Sequence, residues 1–156
     1  MIEIHVPGFG DLHLSHLVCD YNGTLALDGA LLPGVADALR DLAEDMQVHV
    51  VTADTFGQAA SQLAGLPLQL TIIPSASAVD AKLAYVSRLG ADGVVAVGNG
   101  RNDVQMLRAA RVGIALLQGV GGAAAALGAA DIVARSILDA LGLLHAPQRL
   151  VATLRA

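Results

Sequence analysis

Six short apolar runs divide this chain, and several of the stretches between them carry apolar residues at helical spacing. The runs fall at residues 17–19, 48–51, 68–73, 94–97, 113–116 and 131–133. Between the first two, Val35, Leu39, Leu42 and Met46 recur every three or four residues behind Pro33, a favourable first-turn residue. Ser77 is placed to cap a second helix carrying Val79, Leu83, Val86 and Leu89, which Gly90 ends. Asn102 opens another through Met106 and Leu107, and the tail reads as helix with a break at Pro147. Strands apolar on both faces and alternating with helices predict an α/β fold: a Rossmann-like parallel sheet with helices on both sides. Ahead of it, Ile2, Ile4 and Val6 alternate with polar neighbours, Pro7-Gly8-Phe9-Gly10 turns, and Leu12 and Leu14 alternate again. That pattern predicts an N-terminal β-hairpin over residues 1–15 of a single domain spanning 1–156.

Composition narrows the function. The chain is 54% apolar and 15% charged, which excludes a disordered chain. A net charge of −5 and 3% aromatics leave neither an electrostatic footprint nor a stacking surface for nucleic acid. Residues 112–130 lack charge, but five glycines and Gln118 make them a strand, a loop and a small helix rather than a membrane span. The single cysteine, Cys19, permits no internal disulfide, and no secretion signal is visible, so a cytoplasmic location is expected. The three histidines in or beside the hairpin, His5, His13 and His16, read as strand surface or interface. Gly119-Val120-Gly121-Gly122 lacks the Lys-Ser/Thr of a phosphate-binding loop and reads as a plain connection.

In a parallel sheet, ligands bind beyond the carboxyl ends of the strands. The residues just past each run are therefore informative. The first run delivers Asp20-Tyr21-Asn22-Gly23-Thr24-Leu25, the second Thr52-Ala53-Asp54, and the fourth Gly98-Asn99-Gly100-Arg101-Asn102-Asp103. Lys82, the only lysine, lies early in the helix before the fourth run. A carboxylate, a hydroxyl, an ammonium and an Asn/Asp loop suit phosphoryl transfer: the carboxylate attacks phosphorus and the cations offset charge.

These segments resemble the four ordered motifs of the haloacid-dehalogenase (HAD) superfamily, in the form found in P-type ATPase phosphorylation domains and their small soluble relatives. The resemblance runs from about Leu17 to Asp103. It implies an aspartyl-phosphate nucleophile at Asp20, which is also a Mg²⁺ ligand. It implies Mg²⁺ binding by the Asn22 backbone carbonyl and a metal role for Asp103, with Asn99 standing where a metal-binding Asp is common. Thr52 and Lys82 match phosphate-binding positions, with backbone contacts expected at Gly23 and Ala53. The implied ligand is a small phosphorylated substrate or phosphoryl donor.

Two departures from that pattern carry consequences. Asn22 occupies the acid/base position and cannot shuttle a proton, so an alkoxide leaving group loses a catalyst worth about 10²–10⁴ in rate. The expected substrates are therefore those with good leaving groups: anhydrides, acyl phosphates and aryl phosphates. Asn99 keeps an oxygen but drops a charge, which weakens Mg²⁺ binding. The alternative reading is a degenerate HAD domain that binds a phosphoryl ligand or a partner with little turnover. A phospho-accepting receiver lacks its earlier acidic pair in this sequence. With 32 residues from Asp20 to Thr52 and 30 from Thr52 to Lys82, no cap domain fits. The open site is expected to take a bulky substrate or to be closed by a second subunit of a homo-oligomer.

Overall fold

The computed structural model describes residues 1–156. It opens with an antiparallel ribbon of β1 (Ile2–Val6) and β2 (Gly10–Leu14), in register Ile2 opposite Leu14. Period-two alternation buries Ile2, Val6, Leu12 and Leu14. On the exposed face, His5 pairs with Asp11 at 2.6 Å and His13 with Glu3 at 3.4 Å. The turn of the ribbon is pinned by Arg111, which donates to the Phe9 carbonyl at 2.9 Å with its guanidinium 4.5 Å from the Phe9 ring centre.

The remaining elements run in chain order. They are β3 (His16–Cys19), a two-stranded flap of β4 (Ala26–Leu27) and β5 (Ala30–Leu31), α1 (Val35–Leu42), β6 (Gln47–Thr52) and the short α2 (Ala59–Gln62). Next come β7 (Gln69–Ile72), α3 (Ala78–Leu89), β8 (Val94–Gly98) and α4 (Val104–Ala109). The chain finishes with β9 (Val112–Leu116), α5 (Ala124–Ala129), β10 (Ile132–Ala134), α6 (Ile137–His145) and α7 (Gln148–Leu154). Six strands form one parallel sheet in the order β10-β9-β8-β3-β6-β7. The chain builds outward from β3 through β6 and β7, then returns to lay β8, β9 and β10 on the other side. That reversal puts the topological switch point at β3 and β8, where open α/β sheets bind ligands.

The apolar runs are continuous because both faces of the sheet are covered. Leu17, Cys19, Val95, Val97, Ile114 and Leu116 belong to a core of 29 buried residues shared with α1, α6, α7 and the ribbon. Val18, Val51, Ala96 and Ala115 belong to a core of 13 shared with α3, α4 and α5. The smaller residues on this second face let helices approach closely. No helix is long and apolar enough to cross a membrane.

Two local expectations change, and one element is new. Ser77 precedes α3, but its side chain makes no cap hydrogen bond; a 3₁₀ turn over Ser75–Ser77 leads the chain into the helix instead. The helix starting at Val35 ends at Leu42, and Met46 reaches the core from the following turn, its N–H donating to the Leu42 carbonyl at 2.9 Å. The flap is unforeseen, being only two residues on each strand. It is held by the buried Tyr21 hydroxyl, which donates to the Gly29 carbonyl at 2.8 Å.

Candidate active site

Three parallel strands set the floor of the site. β3 stops at Cys19, and the Asp20 N–H continues the ladder by donating to the Val97 carbonyl of β8 at 3.0 Å. The Asp20 carboxylate is thereby fixed at the carboxyl edge of the central strand. β6 ends in Thr52, whose Oγ1 accepts the Asp54 N–H at 3.0 Å. Because that bond uses the oxygen as acceptor, the Thr52 O–H keeps its proton free to donate. β8 ends in Gly98, where a Cβ would lie 2.5 Å from the Asp103 carboxylate; only glycine lets that side chain fold back over the strand end.

Lys82 projects from the first half of α3 and is 1% exposed, which a lone ammonium would not tolerate. Its Nζ donates to Asp103 Oδ1 at 2.7 Å, to Asp20 Oδ1 at 3.0 Å and to Asn102 Oδ1 at 3.3 Å. All three ammonium donors are thus matched. Asp103 is fully buried, and its Oδ2 accepts the N–H groups of Asn99 at 3.1 Å and Gly100 at 2.9 Å. It orders the lysine and the loop together. Burial, reinforced by the Asp103 carboxylate, pushes the Asp20 carboxyl up to about 6 against the pull of Lys82. Burial opposes the Lys82 charge, but the two carboxylates outweigh it and raise the lysine above its ordinary value.

These groups open into a pocket of about 450 Å³ lined by Asp20, Asn22, Thr52, Lys82, Asn99 and the rim residue Arg101, among others. Thus Asp20, Asn22, Thr52, Ala53, Lys82 and Asn99, all singled out in the sequence, face one cavity. Gly23 and Asp103 lie beside it. Gly23 has φ +82°, and a Cβ there would come within 2.6 Å of the Asn99 amide. Asp54 is occupied elsewhere, its Oδ1 accepting the N–H groups of Gln58 at 3.1 Å and Ala59 at 3.0 Å at the start of α2. Cys19 is buried, with a thiol pushed up by its surroundings, and takes no part.

Oxygen donors suited to a hard cation are present, though few are charged. The Asn22 Oδ1 is buried without a hydrogen-bond partner, an oxygen that a cation or an N–H would satisfy. Asn99 sits nearby with its Nδ2 donating to the Gly121 carbonyl at 3.2 Å, which orients its Oδ1 toward the Thr24 hydroxyl, 3.5 Å away. No three His, Cys, Asp or Glu side chains converge anywhere to hold a metal. The donor set fits Mg²⁺, which keeps several waters and needs only one or two carboxylates when a phosphate completes its shell.

Gln118 was not foreseen as part of this architecture. Its Nε2 donates to the carbonyls of Thr24 at 2.8 Å and Gly23 at 3.3 Å, while its Oε1 accepts the Ile137 N–H at 2.8 Å. It links the loop after β3 to the start of α6. The signal was a lone polar side chain inside an otherwise uncharged segment.

Comparison with solved structures decides the fold. The chain superimposes on 3-deoxy-D-manno-octulosonate 8-phosphate phosphatase from Moraxella catarrhalis with a TM-score of 0.73 over 90% of each chain, at 15% identity. The chain has the haloacid-dehalogenase fold. The same HAD fold relates it to the cobalt-bound deoxy-D-mannose-octulosonate 8-phosphate phosphatase of Haemophilus influenzae, with a TM-score of 0.66, 16% identity, and 89% and 97% of the two chains covered. A haloacid dehalogenase-like hydrolase, SP0104 of Streptococcus pneumoniae, gives a TM-score of 0.63 at 12% identity over 85% and 99%. In sequence, the chain is 40% identical over 62 residues to uncharacterized protein MJ0073 of Methanocaldococcus jannaschii, covering 40% of this chain and 67% of that one, and belongs to one family with it. No family model matches the chain.

Proposed function

We propose that this HAD-fold protein is a phosphohydrolase that works through an aspartyl phosphate on Asp20. One observation carries the reading: Lys82 is held by Asp20 and Asp103 at 3.0 and 2.7 Å on the floor of a polar pocket that Thr52 also lines. Lys82 engages Oδ1 of Asp20 and leaves Oδ2 for attack. As Oδ2 bonds to phosphorus, the bond from phosphorus to the leaving-group oxygen breaks, and its electron pair departs with that oxygen. The Thr52 hydroxyl donates to the phosphoryl oxygens, and the Lys82 charge beside Asp20 offsets the negative charge that builds on them. Water then attacks the aspartyl phosphate at phosphorus, the bond from phosphorus to Asp20 breaks, and orthophosphate leaves.

Asp20, Asn22 and Asn99 would hold Mg²⁺, which supplies charge neutralisation on the phosphoryl oxygens when bound. Asp103, whose oxygens accept Lys82 and two N–H groups, adds negative charge beside the metal and keeps a lone pair on Oδ1 for it. A neighbour of the same fold is a phosphatase in complex with magnesium, phosphate and its sugar-acid ligand, which supports this chemistry here. Asn22 gives no proton to the departing oxygen, so substrates with good leaving groups are favoured. The reading is tested by Asp20→Asn: turnover of acetyl phosphate and p-nitrophenyl phosphate should vanish, and unchanged turnover would sink it.

The amides at Asn22 and Asn99 support a second reading, a phosphoryl-ligand or partner-binding module with little hydrolysis. Activity that emerges only in Asn22→Asp would favour it.

A further inference from the structure

The pocket is much larger than one phosphoryl group. Its 450 Å³ corresponds to roughly fifteen water volumes, at about 30 Å³ each, whereas a phosphoryl group brings four heavy atoms. Its lining is also unusual for a ligand site, because Ala53 is the only apolar residue in it. Whatever extends beyond the phosphoryl group meets hydrogen-bonding side chains, not an aryl slot.

Charge sorts the lining into two levels. At the buried floor, two carboxylates face one ammonium, and Lys82 is committed to both of them. At the exposed rim stands Arg101, which comes after Gly100 in the 3₁₀ turn Arg101–Asp103. Its neighbours Asn102 and Asp103 both turn inward to Lys82, whereas the Arg101 guanidinium makes no ion pair or hydrogen bond within the chain. Thr55, also at the rim, likewise leaves its hydroxyl unpaired. Arg101 is therefore the one cation of the pocket not already neutralised, with its planar fork free for carboxylate or phosphate oxygens.

Resting on the reading that Asp20 takes the phosphoryl group, we propose that Arg101 is a specificity-determining residue that binds a second anionic group of the substrate. The substrate class is then a phosphoryl compound bearing a further carboxylate or phosphate a few bonds away. Such a group binds at the rim while the transferred phosphoryl sits at the floor. Arg101 thus separates two-anion substrates from simple monoesters.

The test is calorimetric binding in Mg²⁺ of three non-hydrolysed probes: orthophosphate, phosphonoacetate and methylenediphosphonate. The wild-type protein should bind at least one two-anion probe about tenfold or more tightly than orthophosphate, as expected for one charge-assisted hydrogen-bond pair. Arg101→Gln should abolish that preference with orthophosphate affinity held, and Arg101→Lys should restore part of it. Preference for phosphonoacetate assigns the second group as carboxylate, and preference for methylenediphosphonate as phosphate. Equal wild-type binding of all three probes, or an equal loss for all three in Arg101→Gln, would overturn the assignment; the latter would put Arg101 on the phosphoryl group itself. Binding needs no turnover, so the phosphohydrolase reading stands or falls separately on Asp20→Asn.

Discussion

Asp103 holds the Lys82 ammonium at 2.7 Å, closer than Asp20 does at 3.0 Å. The lysine is thus anchored from the loop after β8, while Asp20 meets it through Oδ1 alone. Asp103→Ala removes one charge-assisted bond and leaves two backbone N–H groups unpaired. Breaking such a buried arrangement costs about 3–5 kcal/mol. Urea denaturation should show a loss of this size, and a variant as stable as wild type would show that the anchor carries no weight.

Burial of the Asp20 carboxyl works against the fold at neutral pH. In metal-free buffer its carboxyl moves from an ordinary 3.8 in the unfolded chain to about 6 in the fold. The folded state therefore holds a proton that the unfolded state has lost, and stability falls as pH rises from about 4 to 6. The displacement corresponds to about 3 kcal/mol at neutral pH. Asp20→Asn, which mimics the protonated carboxyl, should be more stable than wild type at pH 7 by up to that amount. The gap should close near pH 4, as thermal melts in a chelator would show. A gap independent of pH would contradict the burial of charge at this position.

A second pH effect has the opposite sign. At the far end of β6, His49 Nδ1 lies 2.8 Å from the Tyr85 hydroxyl and its Nε2 lies 3.1 Å from His16 Nδ1. Neutral rings pass donor to acceptor along this row, but two imidazolium ions would set N–H against N–H. Burial lowers both histidines, and His16 lowers His49 further. The unfolded chain then binds protons first, so stability is complete above about 6.5 and declines as pH falls below it. His16→Gln should flatten that acid slope in denaturant titrations. An unchanged slope would assign the acid sensitivity elsewhere.

On the proposed mechanism, Asn22→Asp supplies a proton carrier for the leaving group. Hydrolysis of alkyl phosphates should rise by about 10²–10⁴, and acetyl phosphate much less, because its leaving group needs little protonation. Wild-type protein quenched in acid during acetyl phosphate turnover should carry one phosphoryl group on Asp20, detectable by mass spectrometry. Equal gains on both substrates would mean that residue 22 acts on something other than the leaving group.

Gln118→Ala removes three hydrogen bonds between the loop after β3 and the start of α6. A stability loss of about 1–3 kcal/mol is expected, since the freed backbone groups at Gly23, Thr24 and Ile137 lie in partly buried surroundings. Turnover should fall more than the Michaelis constant rises. A normal rate in a destabilised protein would confine Gln118 to the scaffold.

Much of this arrangement was legible because each strand end is both a structural and a chemical signal. The runs ending at Cys19, Thr52 and Gly98 give the parallel sheet by their two-sided apolar character, and the residues just beyond them line one pocket. Partnerships were not legible. Nothing in the spacing of Asp103 says that its two oxygens divide between Lys82 and the loop N–H groups, because that depends on how closely α3 packs against the end of β8. Gln118 was hidden for the same reason: its partners at Gly23 and Thr24 are more than 90 residues away. The flap leaves no mark in the sequence because two-residue strands carry no periodicity, and Ser77 makes no cap because a 3₁₀ turn supplies the start of α3.

The Gln118 bridge also bears on how freely the loop after β3 can move. A loop tied at two of its carbonyls to a side chain that also caps a neighbouring helix loses three hydrogen bonds if it swings away, so the mouth beside it is held in one shape.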